Sequence, residues 1–158
     1  MPSQSAGRKA RPLAAQGRRE DGSRIKRHDQ TGRPMEASAG GIGYRDIVQG
    51  VPATVVGELT REGLTRADIQ MVIPERTLAR RQSKGEALTI DEADALARLR
   101  RVVGMARRVF GEPGLADEWL RSPNPALGNE VPIRMARTDL GGREVEAVLG
   151  RIEHGVFG

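Results

Sequence analysis

One run constrains this chain more than any other: Thr89-Ile90-Asp91-Glu92, followed by Leu96, Leu99, Val103, Ala106 and Phe110. The apolar residues step by 3, 4, 3, 4, which places them on one face of a helix of period 3.6. Thr89 and Glu92 have the form of a capping box, the hydroxyl and carboxylate each satisfying a backbone N–H of the first turn. Gly111, Pro113 and Gly114 end the run. The spacing therefore predicts a helix from Thr89 to about Phe110, with Ala95, Val102 and Val109 flanking the stripe. A helix with so continuous an apolar face needs other helices to cover it.

The rest of the chain supplies them. Asp46 to Leu59 carries Ile47, Val51, Val55, Val56 and Leu59, with Pro52 resetting the helix start. Thr65 is an N-cap three residues before Asp68, opening a short helix with Ile69, Val72 and Ile73 on one side. Pro74 at a first helical position opens another, to about Gln82, and Gly85 closes the following turn. Short helices are expected at 115–121 and 132–138, and a last amphipathic one from Gly142 to His154. No segment alternates as a strand does, and aromatics are only 3% of the residues. The expected fold class is all-α.

Charge divides the chain differently. Residues 1–36 hold nine Lys/Arg against four Asp/Glu, the whole of the net +5, so the remainder is balanced. Up to residue 43 apolar residues are isolated and no period appears, which reads as a disordered basic tail. Ala39-Gly40-Gly41-Ile42-Gly43 reads as a hinge lacking the spacing of a dinucleotide loop. The expected organisation is a tail at 1–43, a helix-turn-helix-like domain at 44–100 and a C-terminal domain at 101–158.

Several chemistries are disfavoured at once. The absence of cysteine rules out disulfides and cysteine-ligated zinc. His28 and His154 are too few and too far apart for an ordinary metal site. No nucleophile–base pair is visible, so no catalytic residue, metal ligand or cofactor site is assigned. Neither a membrane-spanning run nor a secretion signal is seen, and a cytoplasmic protein is expected.

The segments 65–73 and 74–82 have the length and joint of a helix-turn-helix. The second would read DNA through Arg76, Thr77, Arg80, Arg81, Gln82 and Lys84, types that suit phosphates and guanine edges. Leu78 would lock the crossing from beneath. Val72 stands near the place of the usual turn glycine, so the joint must be made without a left-handed residue.

From about Leu64 to Gly158 the chain resembles the Xre/MbcA/ParS antitoxins of toxin–antitoxin pairs. Arg76-Thr77-Leu78-Ala79-Arg80-Arg81 and Leu88-Thr89 carry the first half of the likeness. Ala106-Arg107-Arg108-Val109-Phe110-Gly111, Ala116-Asp117-Glu118-Trp119-Leu120 and Pro123-Asn124-Pro125-Ala126-Leu127-Gly128 continue it. Pro132, Thr138-Asp139-Leu140-Gly141 and residues 145–156 complete it. The first 43 residues fall outside.

The resemblance implies an Xre-like helix-turn-helix domain joined to a C-terminal toxin-binding domain; the lack of convergent catalytic groups argues separately against an enzyme. It implies a cognate RES-domain toxin that consumes NAD, by degrading it or transferring ADP-ribose. It also implies an antitoxin homodimer within a larger complex, and repression of the operon through operator DNA. Trp119 and Leu120 read as packing, and Val145, Val148, Leu149 and Ile152 as the inner face of the last helix. Arg143, Arg151 and His154 lie on its outer side with Glu144 and Glu146. With Gly155, Val156, Phe157 and Gly158 these are the candidate toxin-binding residues. The apolar end with its carboxylate is expected to enter the toxin's NAD pocket and exclude the dinucleotide. A stand-alone dimeric regulator is the alternative, with the Leu96–Phe110 stripe as the dimer seam.

Overall fold

The computed structural model describes residues 42–155. Eight α-helices occur among them: α1 (Tyr44–Gln49), α2 (Val56–Arg61), α3 (Arg66–Gln70), α4 (Glu75–Lys84), α5 (Ile90–Phe110), α6 (Pro113–Arg121), α7 (Pro132–Met135) and α8 (Asp139–Glu153). Two 3₁₀ turns, Ala53–Val55 and Pro125–Leu127, join them. Only isolated bridges, Pro52 with Ala87 and Asn124 with Glu130, interrupt the helical pattern, and no strand forms among the described residues. The all-α expectation holds for them.

Helix α5 is the axis, as its stripe requires. Leu96, Leu99, Val102, Val103 and Ala106 are completely buried. Burying each Leu or Val contributes about 1.5–3 kcal/mol, enough for this face to fix the helix in place. Helices α6 and α8 pack on α5, and α7 packs on α6 and α8. The inner residues of α8 are Val145, Val148 and Leu149. The capping box forms as its spacing predicts: Glu92 N–H donates to Thr89 Oγ1 at 3.2 Å, and Thr89 N–H to Glu92 Oε2 at 2.8 Å. Gly111, left-handed at φ 70°, ends the helix.

This burial removes the dimer seam considered for a stand-alone regulator. The stripe that would have faced a second copy is the core of the chain itself. Periodicity shows that a face must be covered but not by what.

Several boundaries differ from the sequence reading: α6 starts at Pro113 rather than Leu115, α7 ends at Met135 rather than Thr138, and α3 ends at Gln70 rather than Ile73. Helix α1 stops at Gln49 instead of running on to Pro52, because Gly50 takes φ 98° and turns the chain. Pro74 is the N-cap of α4, one residue outside it. Another difference is at α8, which starts at Asp139 rather than Gly142 and is capped by Thr138, whose Oγ1 accepts the Gly141 N–H at 3.1 Å. Gly141 and Gly142 are thus helical, and their lack of a side chain is a packing requirement. A Cβ at Gly141 would lie 2.2 Å from the Met135 carbonyl oxygen, and one at Gly142 would lie 2.8 Å from Arg98 Cδ. The glycines let α8 approach α7 and α5 closely. Arg98 fills that contact: it is buried, pairs with Asp94 and donates to the Arg137 carbonyl at 2.8 Å.

No described helix is long and apolar enough to cross a membrane.

Candidate DNA-facing and partner-facing surfaces

Helix α3 begins at Thr65, where Asp68 N–H donates to Thr65 Oγ1 at 3.2 Å and Thr65 N–H to Asp68 Oδ2 at 2.8 Å. Ile69 and Ile73 are buried, and Leu78 of α4 is packed partly against the same core. Two polar contacts tie α3 to the start of α4: Arg66 pairs with Glu75, and Gln70 Nε2 donates to Glu75 Oε2 at 2.9 Å. Asn129 is the one described residue other than glycine with positive φ, so the α3–α4 joint is made without a left-handed residue.

The six residues selected on α4 have different surroundings. Arg76 and Lys84 are exposed and enter no ion pair among the described residues, while Thr77 is half-buried. Arg80 is half exposed and meets Glu86 at 2.7 Å. Arg81 turns inward, its side chain only 15% exposed: Nη1 donates to the Ala87 carbonyl at 2.8 Å and Nη2 lies 3.3 Å from Glu92. It ties the end of α4 to the capping box of α5. Gln82 Nε2 donates to the Ala53 carbonyl at 3.3 Å, on another side of the helix. Arg76, Arg80 and Lys84, four residues apart, form one row along α4.

Helix α8 presents a second surface. Arg143 is exposed and donates to Asp139 Oδ2 at 2.9 Å. Glu144, Ala147 and Arg151 are exposed, as is His154, the residue that ends the helix. Glu146 is partly covered because it pairs with Arg101 of α5. Gly155 follows at φ 64°. Val156, Phe157 and Gly158 lie outside the described residues, so this part of the candidate site has no geometry here.

Sequence reading passed over Leu140. Its side chain, in the first turn of α8, is 69% exposed. Placing the helix start at Gly142 had put Leu140 outside the helix. The Thr138 cap was the signal that would have included it. Along α8, Leu140, Glu144, Ala147 and Arg151 follow one another at helical spacing, so an apolar and two charged groups share one outer row.

Between these surfaces lies packing. Trp119 is half-buried and meets Phe110 with ring centroids 5.7 Å apart and planes at 42°. The Pro123–Pro125 run ends in the 3₁₀ turn that buries Leu127, with Ala126 N–H donating to Asn124 Oδ1 at 2.9 Å. One ion pair leaves a titration signature. The Glu62 carboxyl is held below its ordinary value, first by the hydrogen bond from Arg100, and the Arg100 guanidinium is raised by the same contact. No group of three or more His, Asp or Glu that could hold a metal occurs among the described residues.

Residues 105–155, which run from α5 through the end of α8, match the Antitoxin Xre/MbcA/ParS C-terminal toxin-binding domain. Similarity extends further toward the N-terminus in curated relatives. Antitoxin Xre of Pseudomonas putida is 38% identical over 110 residues, 69% of each chain. Antitoxin Xre of Yersinia enterocolitica is 32% identical over 127 residues, 78% of this chain and 86% of the relative. Antitoxin Xre of Photorhabdus laumondii is 33% identical over 112 residues, 68% and 76% of the two chains.

Proposed function

Because the chain belongs to the Xre/MbcA/ParS antitoxin family and carries that family's C-terminal toxin-binding domain rather than an enzyme's active site, we propose that it neutralises a RES-domain, NAD-consuming toxin by direct contact through α8 and the residues that follow. The observation carrying this reading is the coincidence of two things. The matched segment, 105–155, ends on α8, and α8 turns Leu140, Arg143, Ala147, Arg151 and His154 outward while its opposite face is core. Residues Gly155, Val156, Phe157 and Gly158 extend this surface into the toxin's NAD pocket and exclude the dinucleotide. Exposed guanidiniums beside an exposed leucine suit a partner surface with an apolar pocket and an acidic rim.

The α3–α4 pair supplies the second half of the proposal. It contacts operator DNA with α4 foremost, through the row Arg76, Arg80 and Lys84 and through Thr77, and thereby represses the operon. Two copies of the antitoxin act together within the complex. Co-expression of the chain with the product of the adjacent gene, followed by pull-down and growth measurement, tests the toxin half. Co-purification with rescue of growth is expected. A neighbour that is neither toxic alone nor bound sinks this reading.

A further inference from the structure

Three arginines converge on one four-residue turn. The turn is Glu62–Thr65, between α2 and α3, and it leads directly into the α3–α4 pair. Arg100 of α5 grips the Glu62 carboxylate, with Nη2 at 3.0 Å from Oε1. Arg107 of α5 donates from Nη1 to the Glu62 carbonyl at 2.7 Å. Arg121 of α6 donates from Nη2 to Asp68 Oδ2 at 2.6 Å and lies 3.4 Å from the Gly63 carbonyl. Asp117 orders the last two from the side, 2.9 Å from Arg121 Nη1 and 4.0 Å from Arg107.

The turn is shaped to receive them. Gly63 sits at φ 112°, and a Cβ there would lie 2.2 Å from Cζ of Arg107. Only a residue without a side chain leaves room for the guanidinium and adopts this φ without strain. Asp68 is 97% buried, and its Oδ2 is a shared acceptor: it takes the Thr65 N–H that caps α3 and Nη2 of Arg121 together. Helix α3 has five residues, too few to persist on helix propensity alone. Its first turn therefore depends on a contact supplied from elsewhere in the chain.

The source of that contact gives it meaning. Arg107 and Arg121 both lie inside the matched toxin-binding segment, whereas the turn they hold lies outside it. We propose that Arg107 and Arg121 are positioning residues through which the C-terminal segment sets the opening of the α3–α4 pair. The functional consequence rests on reading α3–α4 as the DNA-facing element: a partner that displaces α6 releases the cap of α3. Arg121 splits its two arms, Nη2 to Asp68 and Nη1 to Asp117, and the contact is largely shielded from solvent at Asp68, so it holds geometry as well as charge.

Amide hydrogen exchange on the full chain tests this. Arg121→Lys and the double variant R107K/R121K keep the charge, shorten the fork and retain the fold. They should accelerate exchange at least tenfold over residues 65–84 while α8 stays at the wild-type rate. Gly63→Ala, which pushes Arg107 off the turn from the other side, should give the same local pattern. Acceleration equal in α3–α4 and α8 would mean that these arginines only add global stability, and it overturns the proposal; so does unchanged exchange over 65–84. A salt titration with a duplex DNA probe separates the two ideas. A wild-type chain without salt-sensitive affinity sinks the DNA reading of α3–α4, whereas the exchange pattern decides the coupling by itself.

Discussion

Arg121, at the last turn of α6, reaches back 53 residues to the carboxylate of Asp68, which already caps the first turn of α3. One oxygen thus closes a local capping box and a long-range ion pair. Breaking the pair from the acidic side leaves Arg121 with Asp117 as its remaining carboxylate and the Thr65 N–H without its side-chain acceptor. Asp68→Ala should therefore cost about 1.5–3 kcal/mol, the range for a hydrogen bond to a charged group. Urea unfolding followed by circular dichroism measures it. A loss no greater than that of an exposed-surface substitution would show that the pair contributes nothing net.

The glycines of the helices should separate by what surrounds them. Gly142→Ala drives a methyl group into Arg98 and should destabilise by about 1–3 kcal/mol, as overpacking does. Gly104, in the middle of α5, has nothing within 4 Å of a Cβ. Gly104→Ala should raise stability by about 1 kcal/mol through helix propensity alone. Thermal melts of the two variants should move in opposite directions, and a shift of the same sign in both would contradict the packing described.

These residues also show what the sequence could and could not disclose. The capping boxes at Thr65 and Thr89 were legible because both partners lie three residues apart, and the α5 stripe because its period is local. The last helix read as starting at Gly142, which left Gly141 outside it. The true role of Gly141 depends on the Met135 carbonyl, and that of Gly142 on Arg98, 44 residues away in sequence. Arg81 likewise looked like a DNA-facing cation, since nothing in its neighbourhood announced that Glu92 and the Ala87 carbonyl would draw it inward. Long-range polar partners have no periodicity, and so leave no sequence pattern.

The Glu62–Arg100 pair predicts a pH dependence of definite sign. The folded-state carboxyl lies below the ordinary glutamate value of 4.5, so the pair stabilises the fold above the unfolded value and loses that effect as pH falls through the folded one. The contact is largely solvent-exposed, so screening keeps the effect small. Glu62→Gln should unfold at lower urea than wild type at neutral pH, and the two midpoints should converge as the pH falls through the lowered folded-state value. A gap that widens on acidification would reverse the assignment.

On α4 the prediction turns on which cations are free. Arg76→Ala and Lys84→Ala should each weaken binding to operator DNA about evenly across sequences and reduce the salt slope by about one, without changing stability. Arg81→Ala should lower the unfolding midpoint, because it unties α4 from the capping box of α5. Electrophoretic mobility shifts across a salt series, read beside urea curves, distinguish the roles. Equal behaviour of Arg76→Ala and Arg81→Ala in both assays would refute the division.

The partner-facing end is tested by changes that leave the core alone. Val145, Val148 and Leu149 anchor α8 from its inner face, so nothing after Glu153 is needed to hold the helix. Deleting Gly155 to Gly158 should leave helical content and melting temperature at wild-type values, while weakening inhibition of the toxin's NAD consumption by tenfold or more. Leu140→Asp, at a side chain 69% exposed, should also leave the fold intact, but should weaken complex formation itself. The two variants separate pocket exclusion from docking: the deletion should affect inhibition more than affinity, and Leu140→Asp should affect both equally. Titrating each purified variant against the purified toxin, with NAD turnover and binding measured side by side, provides the comparison. A truncated chain that inhibits as well as the intact one would place neutralisation on α8 alone and remove the terminal residues from the mechanism.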